Sequence, residues 1–363
     1  MKNNLSIYDD SFSQVVLNKK MINCDVSKLL IVLSAGGEKR GYLDVIEELT
    51  HKKLSKVDRY YINKYPNISE IEESIKYFQD KKIETIIGIG GGSVLDSAKV
   101  LSAVIRLGSG FTIKEIISSP NLLNSKNKTE LILLPTTAGT GSESTQFATI
   151  WSIAEKKKYS LDHESLLPQK VFFIPELVSS NTVETLLFTA LDTISHSLES
   201  IWNQNRTEES IQYSIESMSH SIINYEDSLL DIKSDVEILK NIQISSYFAG
   251  KAINITRTSL AHSISYPLTI EYNVPHGLAC GFTLPAIYHQ VKDQLQVDRK
   301  VKKSIEKTIF YLNNLQLKKE INKYLSLDQA IQLVPNMNTK ERTANFVKPV
   351  CEELIKDVIQ NSF

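Results

Sequence analysis

The chain has 363 residues, 42% of them hydrophobic and 23% charged, enough apolar material for two domains or one large one. Lys and Arg total 41 against 42 Asp and Glu, so the net charge of −1 recruits neither nucleic acid nor an anionic membrane. No run of about 18 apolar residues predicts a membrane span. The opening MKNNLSIYDDSF lacks the apolar core of a signal peptide, and the sparse cysteines Cys24, Cys280 and Cys351 make no disulfide framework and suit a reducing cytoplasm.

In chain order, KLLIVLSAGG (28–37) predicts a buried strand ending in a glycine turn. Helical periodicity follows over 41–54, then VDRYYINKYP reads as strand and loop, and 69–82 as an amphipathic helix. IETIIGIGGGS (83–93) is a strand ending in glycines, 94–107 a helix, and TELILLPTTAGTGSE (129–143) a strand running into a small-residue loop. Strands alternating with helices predict a parallel sheet with crossover connections. Beyond about residue 175 glycine becomes rare, and stretches at 181–203, 207–227, 235–255, 299–314 and 345–361 predict an all-helical half. The expected domains are 1–175 and 176–363, with the boundary in VFFIPELVSSNT.

Two loops read as nucleotide-binding. GIGGGSVLDSAK (88–99) passes from strand to helix, where glycines let backbone N–H groups approach a phosphate and the helix start adds positive charge. Ser93 occupies the last glycine position of the usual dinucleotide fingerprint, and no Gly-Lys-Ser/Thr of a Walker loop follows. PTTAGTGSE (135–143) ends a neighbouring strand with small hydroxyl residues.

Asp192 and His196 are four residues apart, so they share a helix face with Phe188, Ser195 and Glu199. Such a pair makes a surface contact or reaches one metal ion. His262 and His276 flank a segment holding Pro267 and Pro275, and His276 precedes Gly277 at a helix start. Each histidine alone reads as a core or surface residue. With Asp192 and His196 they form one carboxylate and three imidazoles, a set suited to a divalent first-row metal whose open position polarises a substrate oxygen. His51, His163, His220 and His289 read as surface or packing residues.

These four motifs, in this order, resemble the iron-containing (group III) alcohol dehydrogenases over essentially the whole chain. The resemblance implies an α/β dinucleotide-binding N-terminal domain with a parallel sheet and an all-α C-terminal metal-binding domain, a plan shared with dehydroquinate synthase-like proteins, with the metal in the cleft. It implies Asp192, His196, His262 and His276 as ligands of Fe(II) or Zn(II), with His262 at the catalytic centre. It places the pyrophosphate of NADH or NADPH on Gly90, Gly91, Gly92 and Ser93 with Asp96 nearby, and Thr136, Thr137 and Thr140 along the nicotinamide and ribose. The implied reaction moves hydride between nicotinamide and a small aldehyde or its alcohol, in a cytoplasmic homodimer or larger homo-oligomer.

Two positions depart from the family pattern. Where many members carry a proton-relaying histidine four residues after the third ligand, this chain has Tyr266, whose phenol, with a free pKa of about 10, donates a proton only in a tuned setting. Where NAD-preferring members often have Asp after the first strand, this chain has Ser34, Ala35 and Gly36, then Lys39 and Arg40, which favour a 2′-phosphate and hence NADPH. The segment 249–277, with HSISYPLT, resembles the phosphonoacetaldehyde reductases, which implies reduction of phosphonoacetaldehyde to 2-hydroxyethylphosphonate in phosphonate biosynthesis. Lys251 and Arg257 precede His262 by eleven and five residues. On a helical approach they would hold the dianion, or else be solvated surface cations. The alternatives are a generic reductase for a butanol-, lactaldehyde- or glycerol-type substrate, a dehydroquinate synthase-like lyase, and a non-catalytic binding protein. The PTTAGTGSE and PHG combination argues against the lyase, and the complete ligand set against the binding protein.

Overall fold

The computed structural model describes residues 6–12, 14, 21–63, 65–123, 129–155, 157–224 and 233–363. No helix among them is long and apolar enough to cross a membrane. The chain divides into two compact units, residues 1–137 with 142–180, and residues 138–141 with 181–363.

The strands of the first unit are β1 (Tyr8–Asp9), β2 (Leu29–Ser34), β3 (Asp58–Ile62), β4 (Thr85–Gly90), β5 (Glu130–Pro135), β6 (Phe147–Ser152), β7 (Lys157–Asp162) and β8 (Lys170–Phe173). Its helices include α1 (Ala35–Lys39), α2 (Tyr42–Thr50), α3 (Ile68–Phe78), α4 (Gly92–Val104), α5 (Ile113–Ser118) and α6 (Pro175–Ser179). A six-stranded sheet runs β1-β8-β5-β4-β2-β3, parallel except for β1 against β8. β2, β4 and β5 are apolar runs because both their faces are covered. Leu30, Val32, Ile86 and Leu133 face one core, while Leu29, Ile31, Leu33, Ile87 and Ile132 face the other. A Cβ on Gly88 would stand 2.7 Å from Ala98 Cβ and 2.9 Å from Leu133 Cδ2, so α4 lies flush on the sheet.

Two features differ from the sequence reading here. The glycines after β2 form α1 instead of a turn, started by the Ser34 hydroxyl, which accepts from Gly37 N–H at 3.0 Å. The antiparallel hairpin β6–β7 lies in a stretch the pattern left unassigned. β6 alternates in burial, but its more exposed face carries Phe147 and Trp151, so its sequence shows no apolar–polar alternation, and β7 is largely exposed.

The second unit is helical: α7 (Val183–Ile201), α8 (Glu208–Ser219), α9 (Val236–Thr256), α10 (Leu260–Tyr272), α11 (His276–Gly281), α12 (Leu284–Val291), α13 (Arg299–Asn314), α14 (Leu317–Ile321), α15 (Leu327–Gln332), α16 (Lys340–Thr343) and α17 (Glu352–Ser362). α7 is capped by the Thr182 hydroxyl, buried without a break from Ala190 to Ile201, and packed by α8, α9, α10 and α11. A helix covered all round is the rigid element on which a site can be built.

Three helical expectations need correction. The last helix starts at Glu352, not 345, because Pro349 has no N–H to continue a helical ladder. The stretch 207–227 is helical as α8 only to Ser219, and 225–227 lie outside the described residues. No continuous helix approaches His262: α9 stops at Arg257, whose φ of 66° and ψ of 169° lie in a region nearly reserved for glycine. Asn203 and Thr256 side chains hold the Arg257 carbonyl there, at 3.1 and 3.0 Å. Pro267 lies inside α10, and the turn that follows is made by Asn273 in the left-handed region.

Candidate metal centre and nucleotide cradle

In the second unit, Asp192 and His196 project from the buried half of α7. His276 is brought to them by a close approach of backbones. A Cβ on Gly277 would fall 1.8 Å from Phe188 O and 3.1 Å from Asp192 N, so α11 can start against α7 only with glycine there. That contact is the physical reason for the Pro-His-Gly sequence, and it leaves His276 Nε2 3.7 Å from Asp192 Oδ1.

His262 is placed by Glu199, one turn beyond His196 on α7 and fully buried. Glu199 accepts the backbone N–H groups of Ser259 (3.0 Å), Ala261 (2.5 Å) and His262 (3.3 Å), which satisfies the start of α10. Its Oε2 also lies 2.6 Å from His262 Nδ1. Burial opposes the Glu199 charge, but His262 and these N–H groups hold the carboxyl below its usual range. An ionised carboxylate only accepts, so His262 carries a proton on Nδ1, which leaves Nε2, on the Asp192 side, as the nitrogen a metal ion would bind in place of a proton.

Asp192 Oδ1 stands 3.6 Å from His196 Nε2, 3.4 Å from His262 Nε2 and 3.7 Å from His276 Nε2, and His196 and His262 Nε2 are 3.1 Å apart. Donors sharing one ion through bonds of about 2.0–2.1 Å in tetrahedral geometry lie about 3.3 Å apart, close to this spacing. Asp192 Oδ1 is buried and no hydrogen bond is aligned on it. Burial works against the Asp192 charge, yet His196, His276 and His262 keep it ionised, well below the usual carboxylate range. Burial pushes His196 down to about 4, so its imidazole stays neutral. His262 and His276 go the other way: burial works against their charge, but Cys280 with Glu199 and Asp192 around them raise both imidazoles, so acidic groups and basic nitrogens gather where a divalent cation would take the place of the ring protons. Asp192 thus lies near all three predicted imidazoles, while the group whose ligand atoms all lie within 4.8 Å of one another is Asp192, His262, His276 and Cys280, with His196 beside Asp192 and His262.

Cys280 joins them from α11, with Sγ 3.9 Å from His276 Nε2. Burial alone would raise this thiol, but His262 and His276 beside it bring it down to about 7. The His276 side chain is 39% exposed, whereas those of Asp192, His196 and His262 are nearly covered. His276 opens onto a cavity of about 430 Å³ whose lining includes Thr140, Glu184, Phe188, Asp192 and Tyr324 and, among the described residues, no lysine or arginine. The Tyr266 ring lies parallel to that of His276 with centroids 6.2 Å apart, and the Arg342 guanidinium sits 5.8 Å above Tyr266. Lys251 lies over Tyr247, 5.5 Å from its centroid, and Arg257 occupies the strained end of α9; neither lines the cavity.

In the first unit, β4 ends at Gly90 and α4 begins at Gly92, so the N–H groups of the first α4 turn point past the strand end. Thr136 N–H donates to Gly90 O at 3.0 Å, and Thr137 Oγ1 stands 3.3 Å from where a Gly91 Cβ would be. Thr136 and Thr137 therefore border the glycine cradle with Ser93, while Thr140 belongs to the metal-side cavity. Asp96 braces the next loop: its oxygens accept the Ser142 hydroxyl (2.6 Å) and Thr149 N–H (2.8 Å). Fully buried Lys99 donates to Ser142 O, Thr145 Oγ1 and Phe147 O, which ties that loop to α4.

Comparison with known proteins agrees with this arrangement. Residues 14–175 match the family described as iron-containing alcohol dehydrogenase, and residues 186–361 match the C-terminal family of the Fe-containing alcohol dehydrogenases. The chain belongs to the iron-containing alcohol dehydrogenase family. Phosphonoacetaldehyde reductase of Streptomyces viridochromogenes is 31% identical over 206 residues, 56% of this chain and 52% of that protein. 4-Hydroxybutyrate dehydrogenase of Clostridium kluyveri is 32% identical over 59% of this chain and 56% of its own length. The chain thus spans about half the length of these curated relatives. The fold is that of sulfoacetaldehyde reductase from Bifidobacterium kashiwanohense, solved with NAD+, at a TM-score of 0.80, 20% identity, and coverage of 92% of this chain and 90% of that one.

In this alcohol dehydrogenase family member, sequence reasoning left Glu199 and Cys280 without a role. Glu199 was placed on the Asp192 face, but a helical period cannot say that a carboxylate is fully buried. Cys280 stands one turn beyond His276, and that spacing was the available signal.

Proposed function

We propose that this protein is a metal-dependent oxidoreductase that reduces a small aldehyde to a primary alcohol with NADPH or NADH. The observation that carries the reading is Asp192 Oδ1, buried without a hydrogen bond amid the Nε2 atoms of His196, His262 and His276. These four residues would hold Fe(II) or Zn(II), which when bound supplies Lewis acidity to a carbonyl oxygen. Glu199 holds His262 through its Nδ1 proton, the α4 N-terminus with Gly90, Gly91, Gly92 and Ser93 receives the pyrophosphate with Thr136 and Thr137 beside it, and Thr140 lines the metal-side cavity. Tyr266, beside His276, is the candidate proton donor to the alkoxide. Support for NADPH comes from Arg40, whose guanidinium nitrogen stands 3.5 Å from where a Gly36 Cβ would be, just past β2.

The finer reading is reduction of phosphonoacetaldehyde to 2-hydroxyethylphosphonate. It is supported by the 249–277 segment and by the relative of that name, with Arg257 and Lys251 as candidate anion holders. A second reading, an uncharged short-chain aldehyde, is favoured by the cavity lining without lysine or arginine among the described residues. An aldehyde panel that includes phosphonoacetaldehyde and propanal, assayed with NADPH and NADH, separates them. Higher kcat/KM for the phosphonate supports the first; higher kcat/KM for propanal or butanal rejects it. No coenzyme consumption with any aldehyde rejects the reductase reading itself.

A further inference from the structure

The donor set of one carboxylate and three imidazoles leaves Cys280 unexplained. Cys280 is completely buried on α11, one turn beyond His276. The ligand atoms of Asp192, His262, His276 and Cys280 all lie within 4.8 Å of one another. Bonds of about 2.0–2.3 Å would set four such donors about 3.3–3.8 Å apart in tetrahedral geometry and five somewhat closer, so binding requires the side chains to draw in by about 1 Å or more. The backbone carrying the thiol is already fixed. Gly277 abuts Phe188 O, and a Cβ on Gly281 would stand 3.0 Å from Leu191 Cβ, so α11 is locked on the helix that bears Asp192 and His196. None of the three cysteines forms a disulfide.

We propose that Cys280 is itself a metal ligand, so that this chain binds its ion through Asp192, His196, His262, His276 and Cys280. A thiolate donor favours the thiophilic ions Zn(II) and Co(II) over Fe(II) and Mn(II). One carboxylate and one thiolate also neutralise a buried dication, which a single carboxylate does not. As the bond forms, the sulfur gives its electron pair to the ion and the thiol proton leaves to solvent; no oxidant or reductant takes part. The inference rests on the metal-centre reading above and names the ion class it prefers.

The test is cobalt substitution of the full-length, metal-stripped protein, read by absorption spectroscopy. The expected result is one cobalt per chain with a sulfur-to-cobalt charge-transfer band in the near ultraviolet. Cys280→Ser should keep one cobalt but lose the band, and a competing chelator should then remove Zn(II) roughly 10- to 100-fold more easily. A Cys24→Ser/Cys351→Ser double variant should keep the band. One bound cobalt in the wild type with only weak d–d bands overturns the proposal and leaves the metal centre standing. Wild type that takes up no cobalt overturns the metal centre and the proposal together. The wild-type spectrum decides by itself, so the test survives a variant that fails to fold.

Discussion

Glu199→Gln is the most informative single substitution in the metal centre. It keeps shape and volume and removes one acceptor oxygen. In the wild type Oε1 receives Ala261 and His262 N–H, while Oε2 receives Ser259 N–H and His262 Nδ1–H. A glutamine whose oxygen stays on the first pair turns its NH2 toward two donors. Ser259 N–H is then buried without an acceptor, a cost of about 1–3 kcal/mol. His262 relieves the other clash by moving its proton to Nε2, the nitrogen a metal ion would bind. That unmet donor sets the expected destabilisation, and metal affinity should fall roughly 10- to 100-fold. Thermal unfolding of the metal-free protein reads the first effect, chelator competition for Zn(II) the second, and the imidazole nitrogen shifts of His262 the tautomer. A folded Glu199→Gln protein with wild-type metal affinity and an unchanged His262 tautomer would refute the orienting role and reduce Glu199 to a cap of α10.

The remaining predictions concern coenzyme, substrate and pH. NADPH should be used at least as well as NADH, and Ser34→Asp should shift preference toward NADH; a wild-type preference for NADH above about tenfold, about 1.4 kcal/mol, contradicts the 2′-phosphate argument. If Arg257 holds a phosphonate, Arg257→Ala should lower kcat/KM for phosphonoacetaldehyde roughly ten- to a hundredfold, the loss of about 1.5–3 kcal/mol expected of a charge-assisted contact, and leave propanal nearly unchanged; equal losses would assign Arg257 to the strained end of α9 alone. Glu143, buried beside Lys99, is pushed up to about 7 by burial, with Lys99 pulling the other way. The folded state therefore keeps a proton that the unfolded chain releases above 4.5, so stability is full below that value and is lost as pH rises through about 7, by up to about 3 kcal/mol. Glu143→Gln should raise Tm relative to wild type at pH 8 and match it near pH 5, and equal Tm differences at both would contradict the buried ionisation.

The parallel sheet was legible because β2, β4 and β5 are apolar runs closed by glycines, and punctuation of that kind is local. Asp192 and His196 were legible as a helical pair for the same reason. His262 and His276 were legible as candidates that complete a ligand set with that pair, and the family resemblance assigned them as ligands; how they reach α7 was not legible, since it depends on Gly277 touching Phe188, a contact no spacing encodes. The break at Arg257 was hidden because neither glycine nor proline marks it; Asn203, far away in the sequence, holds it. The β6–β7 hairpin was missed because half-exposed strands such as KKYSLD carry no clear alternation.

The central claim is that Asp192, His196, His262 and His276 hold an ion required for NAD(P)H-dependent aldehyde reduction. The most direct measurement is the rate of NADPH oxidation with the best aldehyde of the panel, on metal-stripped protein titrated with Zn(II) and, anaerobically, with Fe(II). The account predicts no turnover before addition and activity that saturates at one ion per chain. Turnover that survives stripping and ignores added metal would contradict it.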